Sequence, residues 1–331
     1  MTRTAPAWAA PAWAAPALIA LLDRAALTHA EAGDRFPLFA EPDSGRWTTT
    51  RRGSWTGGFW AGLLWLRARH SGEKHDREAA RRCTDRLADR VDADTATRGL
   101  ILWYGTTLAD EPGAAELRHR AAVACLDAYD PELGLVPWGS AFGGPRLIAR
   151  ADAVPGLVPL LATVDPSAAE SHLRRHLALC AGQMASRFDP ATGWIPCEEP
   201  PPGWSRGRAW LLLAASDALT QLGADERLDV ADHLAGPPEI PLADEDRTEG
   251  PLDTSAAAIT AVALLKLGRH EPAIALLEQL VHRHLTPTGQ LLDGCYDLAA
   301  NTATRHELIW GDFFLALGLA ILTGLVGPHD I

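Results

Sequence analysis

Side chains able to do chemistry recur just ahead of stretches that read as apolar helices. Trp55 stands in RRGSWTGGFW, Asp92 and Asp94 in VDADTATRG, and Asp152 in RADAVPG. Trp204, Arg206, Arg208 and Trp210 share GWSRGRAW. Asp253 opens DTSAAA, and His306, Trp310 and Asp312 lie in HELIWGD. A carboxyl group that can donate and then accept a proton is the minimum for general acid–base work. Flat indole rings suit the apolar faces of sugars. A pair of guanidinium groups suits a substrate carboxylate. Brought to one place, these residues would form a pocket for a sugar-like, anionic ligand.

Each residue also has a simpler structural role. Asp253, followed by Thr254 and Ser255, is most simply a helix N-cap. Asp92 and Asp94 fit capping and the helix dipole as well as they fit function. Asp152 falls inside an apolar stretch beside Pro155 and Gly156, where capping explains it less well. Arg206 and Arg208 fit either a substrate carboxylate or the acidic segment 244–249. His306 has no metal-ligand partner at the right spacing and reads as structural.

The elements that would position these groups are helices. Helical periodicity predicts helices at 17–31, 57–71, 75–91, 96–109, 113–129, 150–164, 167–186, 206–222, 225–235, 253–268, 270–284 and 307–324. They form six consecutive pairs. The second helix of a pair is apolar on most faces, as in GGFWAGLLWL and AAAITAVALLKL. The first carries more charge, as in KHDREAARRCTDRLADR. Polar helices outside and apolar helices inside give an all-α (α/α)6 barrel. Its inner helices run the same way, so their N-termini meet at one mouth. Strand-like alternation is confined to short pieces such as 134–138 and 289–292. The βαβ rhythm and a G-x-G-x-x-G after a strand are missing. Residues 1–16, with the APAWA repeat, read as a low-complexity extension, and 17–331 as one barrel domain. Segments 187–204 and 236–252, rich in Pro, Gly, Trp and acidic residues, read as long loops over the mouth.

Composition narrows the function. The 331 residues carry a formal net charge of −12, which disfavours nucleic acid and anionic membrane surfaces as partners. Among the basic residues only Lys74 and Lys266 are lysines. Five scattered cysteines without a C-x-x-C pair argue against a zinc site and fit a reduced, cytoplasmic protein. Prolines at 6, 11 and 16 and a nearly absent basic start argue against a secretory signal. No transmembrane helix is expected.

Several blocks resemble the unsaturated glucuronyl hydrolases, family 88 of the glycoside hydrolases. They are FPLFAEPDSGRWTTTRRGSWTGGFWAGLLWL at 36–66, WSRGRAW at 204–210, DTSAAAITAVALLKL at 253–267 and LIWGDFFLALGLA at 308–320. The family fold is an (α/α)6 barrel. The resemblance implies release of a 4,5-unsaturated uronic acid by hydration of its vinyl ether, without metal or organic cofactor. It implies Asp152 as the acid/base, Arg206 and Trp210 as substrate contacts, and Trp55 and Trp138 as ring contacts. Trp204, Arg208 and Trp310 are further candidates for substrate binding. The sequence departs from the family at its second Asp. Aligned on Gly99, Thr97 stands there and Ala96 replaces the preceding His, which leaves Asp94 as the candidate substitute. The family's Gln in SRGQAW is Arg208.

The expected partner is a small-molecule or oligosaccharide substrate, and the expected assembly a monomer or homodimer. Two other readings stand beside hydrolysis. One is a repurposed barrel enzyme of secondary metabolism that protonates an alkene or enol ether for hydration, isomerisation or cyclisation. DADTA at 92–96 faintly matches the acid motif of class II terpene cyclases. The other is a non-catalytic barrel that binds a sugar or a partner.

Overall fold

The computed structural model describes residues 10–223, 231 and 233–331. Helix α1 (Ala14–Ala32) begins inside the segment expected as an extension. Pro16 is tolerated there because the first-turn amide has no intrahelical acceptor to lose. Residues 1–9 lie outside the described residues, as do most of those predicted as helix 225–235.

The inner layer comprises α2 (Gly57–Ser71), a wide π-helical turn (Gly99–Trp103), α5 (Leu157–Ala162), α7 (Ser205–Leu222), α8 (Thr254–Lys266) and α10 (Ile309–Leu322). Each packs on the next, and α10 returns to α2, so the ring closes. The described outer helices are α1, α3 (Lys74–Asp85), α4 (Pro112–Asp127), α6 (Pro166–Cys180) and α9 (His270–Arg283). Pro112 and Pro166 start their helices, where a missing N–H does no harm. Asp165 caps α6 by accepting from the amides of Ser167 and Ala168 at 2.9 and 3.0 Å. The inner helices bury nearly every side chain, which is why they are apolar all round. Phe59, Tyr104, Trp210, Phe313 and Phe314 fill the axis of the ring. The Phe59 and Trp210 rings stack at 6.0 Å, and Phe313 meets Phe314 edge-on at 5.0 Å.

The structure corrects several expected elements. Helix 96–109 shrinks to the π-helical turn, because its neighbours come too close for an ordinary helix with side chains. A Cβ on Gly58 would lie 2.3 Å from the carbonyl oxygens of Leu100 and Ile101. Helix 150–164 divides into a strand, a single 3-10 turn at Ala151–Ala153, and α5. Pro155 has no N–H to continue a helix, and Gly156 is left-handed at φ +70°. Asp152 therefore sits on a turn, not inside a helix. Two small antiparallel sheets also appear, their strands too short for period-2 patterning to register. One has the order β2 (Trp47–Thr50), β1 (Phe36–Ala40), β6 (Glu307–Leu308). The other runs β3 (Ile148–Arg150), β4 (Ala185–Asp189), β5 (Gly193–Pro196). Segment 187–204 thus opens as a hairpin, and α6 ends at Cys180. The expected pieces 134–138 and 289–292 make only single bridges, Asp130 to Leu135 and Leu285 to Leu291.

The start of α10 buries two carboxyl groups. Glu307 accepts from Arg24 Nε at 2.9 Å and Nη2 at 2.7 Å, and from Gln290 at 3.2 Å. Burial, and then the neighbouring Glu307 carboxylate, push the Asp312 carboxyl well above the usual range, so it is held as the acid. In that window the folded state binds more protons than the unfolded chain, so stability falls as pH rises above about 4. Asp312→Asn keeps the shape without the titration. Denaturation midpoints across pH should therefore decline less steeply for the variant than for the parent. Parallel pH profiles would contradict the buried acid. Separately, a Cβ on Gly156 would lie 2.4 Å from the Gly99 carbonyl oxygen. Gly156→Ala should cost at least about 2 kcal/mol in chemical denaturation; a neutral effect would show that this contact can relax.

Candidate active site

A cavity of about 740 Å³ opens at the mouth of the ring, within the size range of small-ligand sites. Trp55 ahead of α2, Thr97 ahead of the π-helical turn, Asp152 ahead of α5, and Trp204, Arg206 and Trp210 of α7 all line it. These inner N-terminal ends therefore share one mouth. Loop residues 142–144, 199–201 and 296–300 form its rim.

Asp152 is held by a neighbour two positions earlier. Arg150 donates from Nε to Oδ1 at 2.9 Å and from Nη2 to Oδ2 at 3.1 Å. Pairing of β3 with β4, Arg150 opposite Ala185, fixes where this pair stands. The Arg150 guanidinium also lies over the Trp138 ring, 4.6 Å from its centroid. Burial works against its charge, but the Asp152 carboxylate outweighs burial and raises its pKa. Trp138 lines the cavity and donates Nε1 to the Gly143 carbonyl at 3.3 Å.

Arg206 lines the cavity but is only 4% exposed. Its Nη1 donates to Asp253 and to the Cys295 carbonyl, and its Nη2 to the Tyr296 carbonyl at 2.8 Å. Trp204 and Trp310 flank its guanidinium at 5.3 and 5.4 Å. Asp253 meanwhile caps α8, accepting from the Ser255 amide at 3.1 Å. Its capping role and its pairing with Arg206 coexist.

Three predicted site residues stand elsewhere. Asp94 does not line the cavity, and its side chain is 41% exposed. It accepts from the Ser140 amide at 3.1 Å, the Ser140 hydroxyl at 2.9 Å and Arg146 Nε at 3.2 Å. Burial is the largest single influence and raises its pKa, but the Ser140 and Arg146 contacts together prevail and hold the carboxyl below the usual range. It braces the loop at 139–146 and is not positioned to replace the family's second Asp. Arg208 is absent from the lining and binds Glu245 on the acidic segment. Trp310 is fully buried beneath Trp55, ring centroids 4.8 Å apart, and donates Nε1 to Ser255 Oγ at 2.9 Å. It supports the floor without reaching the cavity.

At the position of the missing Asp, Thr97 lines the cavity, its hydroxyl 2.9 Å from that of Thr95. Sequence reasoning overlooked Arg150, Tyr296 and Arg247, which also line the cavity. Only Arg150 left a signal, being two residues from Asp152 on a stretch taken as helix. Among the described residues no group of three or more His, Cys, Asp and Glu side chains is arranged to hold a metal ion.

Removing Asp253 would strand a buried guanidinium. Asp253→Ala is expected to lose about 3–5 kcal/mol of unfolding free energy. Arg208→Ala, at a partly exposed pair, is expected to lose no more than about 1 kcal/mol. Equal effects in urea titrations would refute the distinction between clamp and rim.

No protein-family model matches the chain. An unsaturated glucuronyl hydrolase of Bacillus sp. (strain GL1) is 29% identical over 339 aligned positions, spanning 85% of this chain and 89% of that protein. The solved structure of an unsaturated glucuronyl hydrolase from Bacillus sp. GL1, described as responsible for the degradation of glycosaminoglycan, superposes with a TM-score of 0.83. The identity is 22%, with 93% of this chain and 96% of that one covered. The Streptococcus agalactiae enzyme of the same name superposes at 0.80 with 18% identity, covering 93% and 91%. No helix among the described residues is long and apolar enough to cross a membrane. With its closed ring of inner helices, the chain has an (α/α)6-barrel fold and is similar in sequence and structure to the unsaturated glucuronyl hydrolases.

Proposed function

We propose that the chain is an unsaturated uronyl hydrolase-like enzyme that hydrates the C4=C5 vinyl ether of an unsaturated sugar acid and so releases the glycosidic partner. The observation that carries this reading is Asp152, a carboxyl group lining a cavity walled by Trp55, Trp138, Trp204 and Trp210. The relatives' names add support, since a glycosaminoglycan-degrading enzyme shares the barrel.

In this mechanism the Asp152 carboxyl gives its proton to C4, and the π electrons form the new C4–H bond. Positive charge spreads over C5 and the ring oxygen. Water bonds to C5 while the Asp152 carboxylate takes the proton it loses, which restores the acid. The resulting hemiketal opens, and collapse at C1 expels the aglycone. Each step uses Asp152 and one water. The indole rings hold the apolar faces of the sugars.

The same reading takes 17–331 as the catalytic unit and an oligosaccharide or small molecule as substrate. It places the protein in the cytoplasm, in keeping with five free cysteines of which Cys83, Cys125, Cys180 and Cys295 are buried. Thr97 in place of the family's second Asp favours one alternative: the same acid acting on another alkene or enol ether.

The test is the ultraviolet absorbance of the conjugated unsaturated uronate, followed with a panel of unsaturated uronyl disaccharides. Turnover should be seen with the parent and should fall about 10²- to 10⁴-fold in Asp152→Asn, with ligand affinity kept. A variant as fast as the parent would remove Asp152 from the chemistry. No absorbance loss on any disaccharide would move the reading to the alternative substrate.

A further inference from the structure

We infer that Arg150 is the receptor for the substrate's carboxylate, and that its transfer to the substrate frees Asp152 from its partner. The inference rests on the hydration reading and names the group that selects its substrate.

Among the described residues, three cationic side chains line the cavity: Arg150, Arg206 and Arg247. Arg206 is committed to Asp253, to two backbone carbonyls and to two indole faces. Arg247 is a rim residue, 59% exposed and paired with Asp244 at 2.9 Å. Arg150 alone combines shelter with an exchangeable partner: its side chain is 26% exposed and that of Asp152 17%. That partner is also the group required to deliver a proton.

A bidentate guanidinium favours the ionised carboxylate and opposes its protonation. The arrangement in the free protein is therefore a resting one. An unsaturated uronate carries a planar carboxylate on C5, the carbon next to C4. It matches the fork of Arg150 as well as Asp152 does. Seated there, it would bring C4 beside Asp152, because C4 lies two bonds from the carboxyl carbon. Asp152, released from the fork, is then free to face C4. The Trp138 ring, 4.6 Å from the guanidinium, keeps Arg150 in place through the exchange. A neutral substrate would leave the resting pair intact, so charge selection and the release of Asp152 become one event.

The experiment compares an unsaturated uronyl disaccharide with its methyl ester, by kinetics and by titration calorimetry. It uses the parent protein, Arg150→Met and Arg150→Lys, with thermal melts to confirm folding. The parent should bind and turn over the acid at least about 10-fold better than the ester. Arg150→Met should lose that preference, chiefly through a higher KM for the acid. Arg150→Lys should restore part of it, as a point charge without the fork. Equal affinity of the parent for acid and ester would overturn the inference without needing any variant. So would an undiminished preference in a folded Arg150→Met. Discrimination in binding without turnover of either compound would instead overturn the hydration reading and leave the receptor standing.

Discussion

A guanidinium buried at the mouth of the barrel needs a full set of acceptors, and Arg206 finds them on separate segments. Asp253 comes from the start of α8, and the Cys295 and Tyr296 carbonyls from the loop that leads toward α10. Arg206 itself belongs to the first turn of α7. One side chain thereby ties two inner helices to a rim loop, with Trp204 and Trp310 against its faces. Loss of either charge would leave the other uncompensated in a poorly solvated place. The clamp also fixes the aromatic stack beside it, where Trp55 rests on Trp310 and faces Tyr296.

That commitment decides how charge is shared out in the cavity. While Arg206 is satisfied by Asp253 and backbone carbonyls, Arg150 pairs with Asp152 and arrives by a different route. The β3–β4 pairing sets its position, and the tight turn through Pro155 and Gly156 sets that of Asp152. The backbones of Gly99 and Gly156 touch where no Cβ fits, which brings Thr97 and Asp152 to the same wall. Where the family pattern has a second carboxylate, this chain has a threonine hydroxyl. Beside the first carboxylate it has a guanidinium. The fold is shared with solved unsaturated glucuronyl hydrolases, and the cavity walls here carry four indole rings. The mouth of this net negative protein sets arginines, carboxylates and indole rings side by side.

Much of the architecture was legible in the sequence. Inner helices such as 57–71 and 253–268 are long, apolar on all faces and bounded by clear signals, so their periodicity survives tertiary context. The Asp253 cap was legible for the same reason, being a local hydrogen bond written into three adjacent residues. The short inner segments were not. At 96–109 and 150–164 apolar composition suggested helix, while close backbone approach and a proline–glycine break, both matters of three-dimensional crowding, reduced them to a turn and a strand followed by a short helix. Five-residue strands such as Phe36–Ala40 are stabilised by partners distant in sequence and leave little pattern of their own.

The sequence by itself determined the all-α barrel, the grouping of Trp, Arg and Asp ahead of the inner helices, and the prominence of Asp152. These follow from local periodicity and from motifs only a few residues long. Which charged groups pair with one another was set by the fold. It assigned Arg206 to Asp253, Arg208 to Glu245 and Asp94 to Ser140 and Arg146, and left Arg150 facing Asp152 in the cavity. The reason is physical. An ionisable side chain is committed by whichever opposite charge the fold brings within hydrogen-bonding distance, and apart from the Arg150–Asp152 pair those partners lie 37 to 52 residues away along the chain.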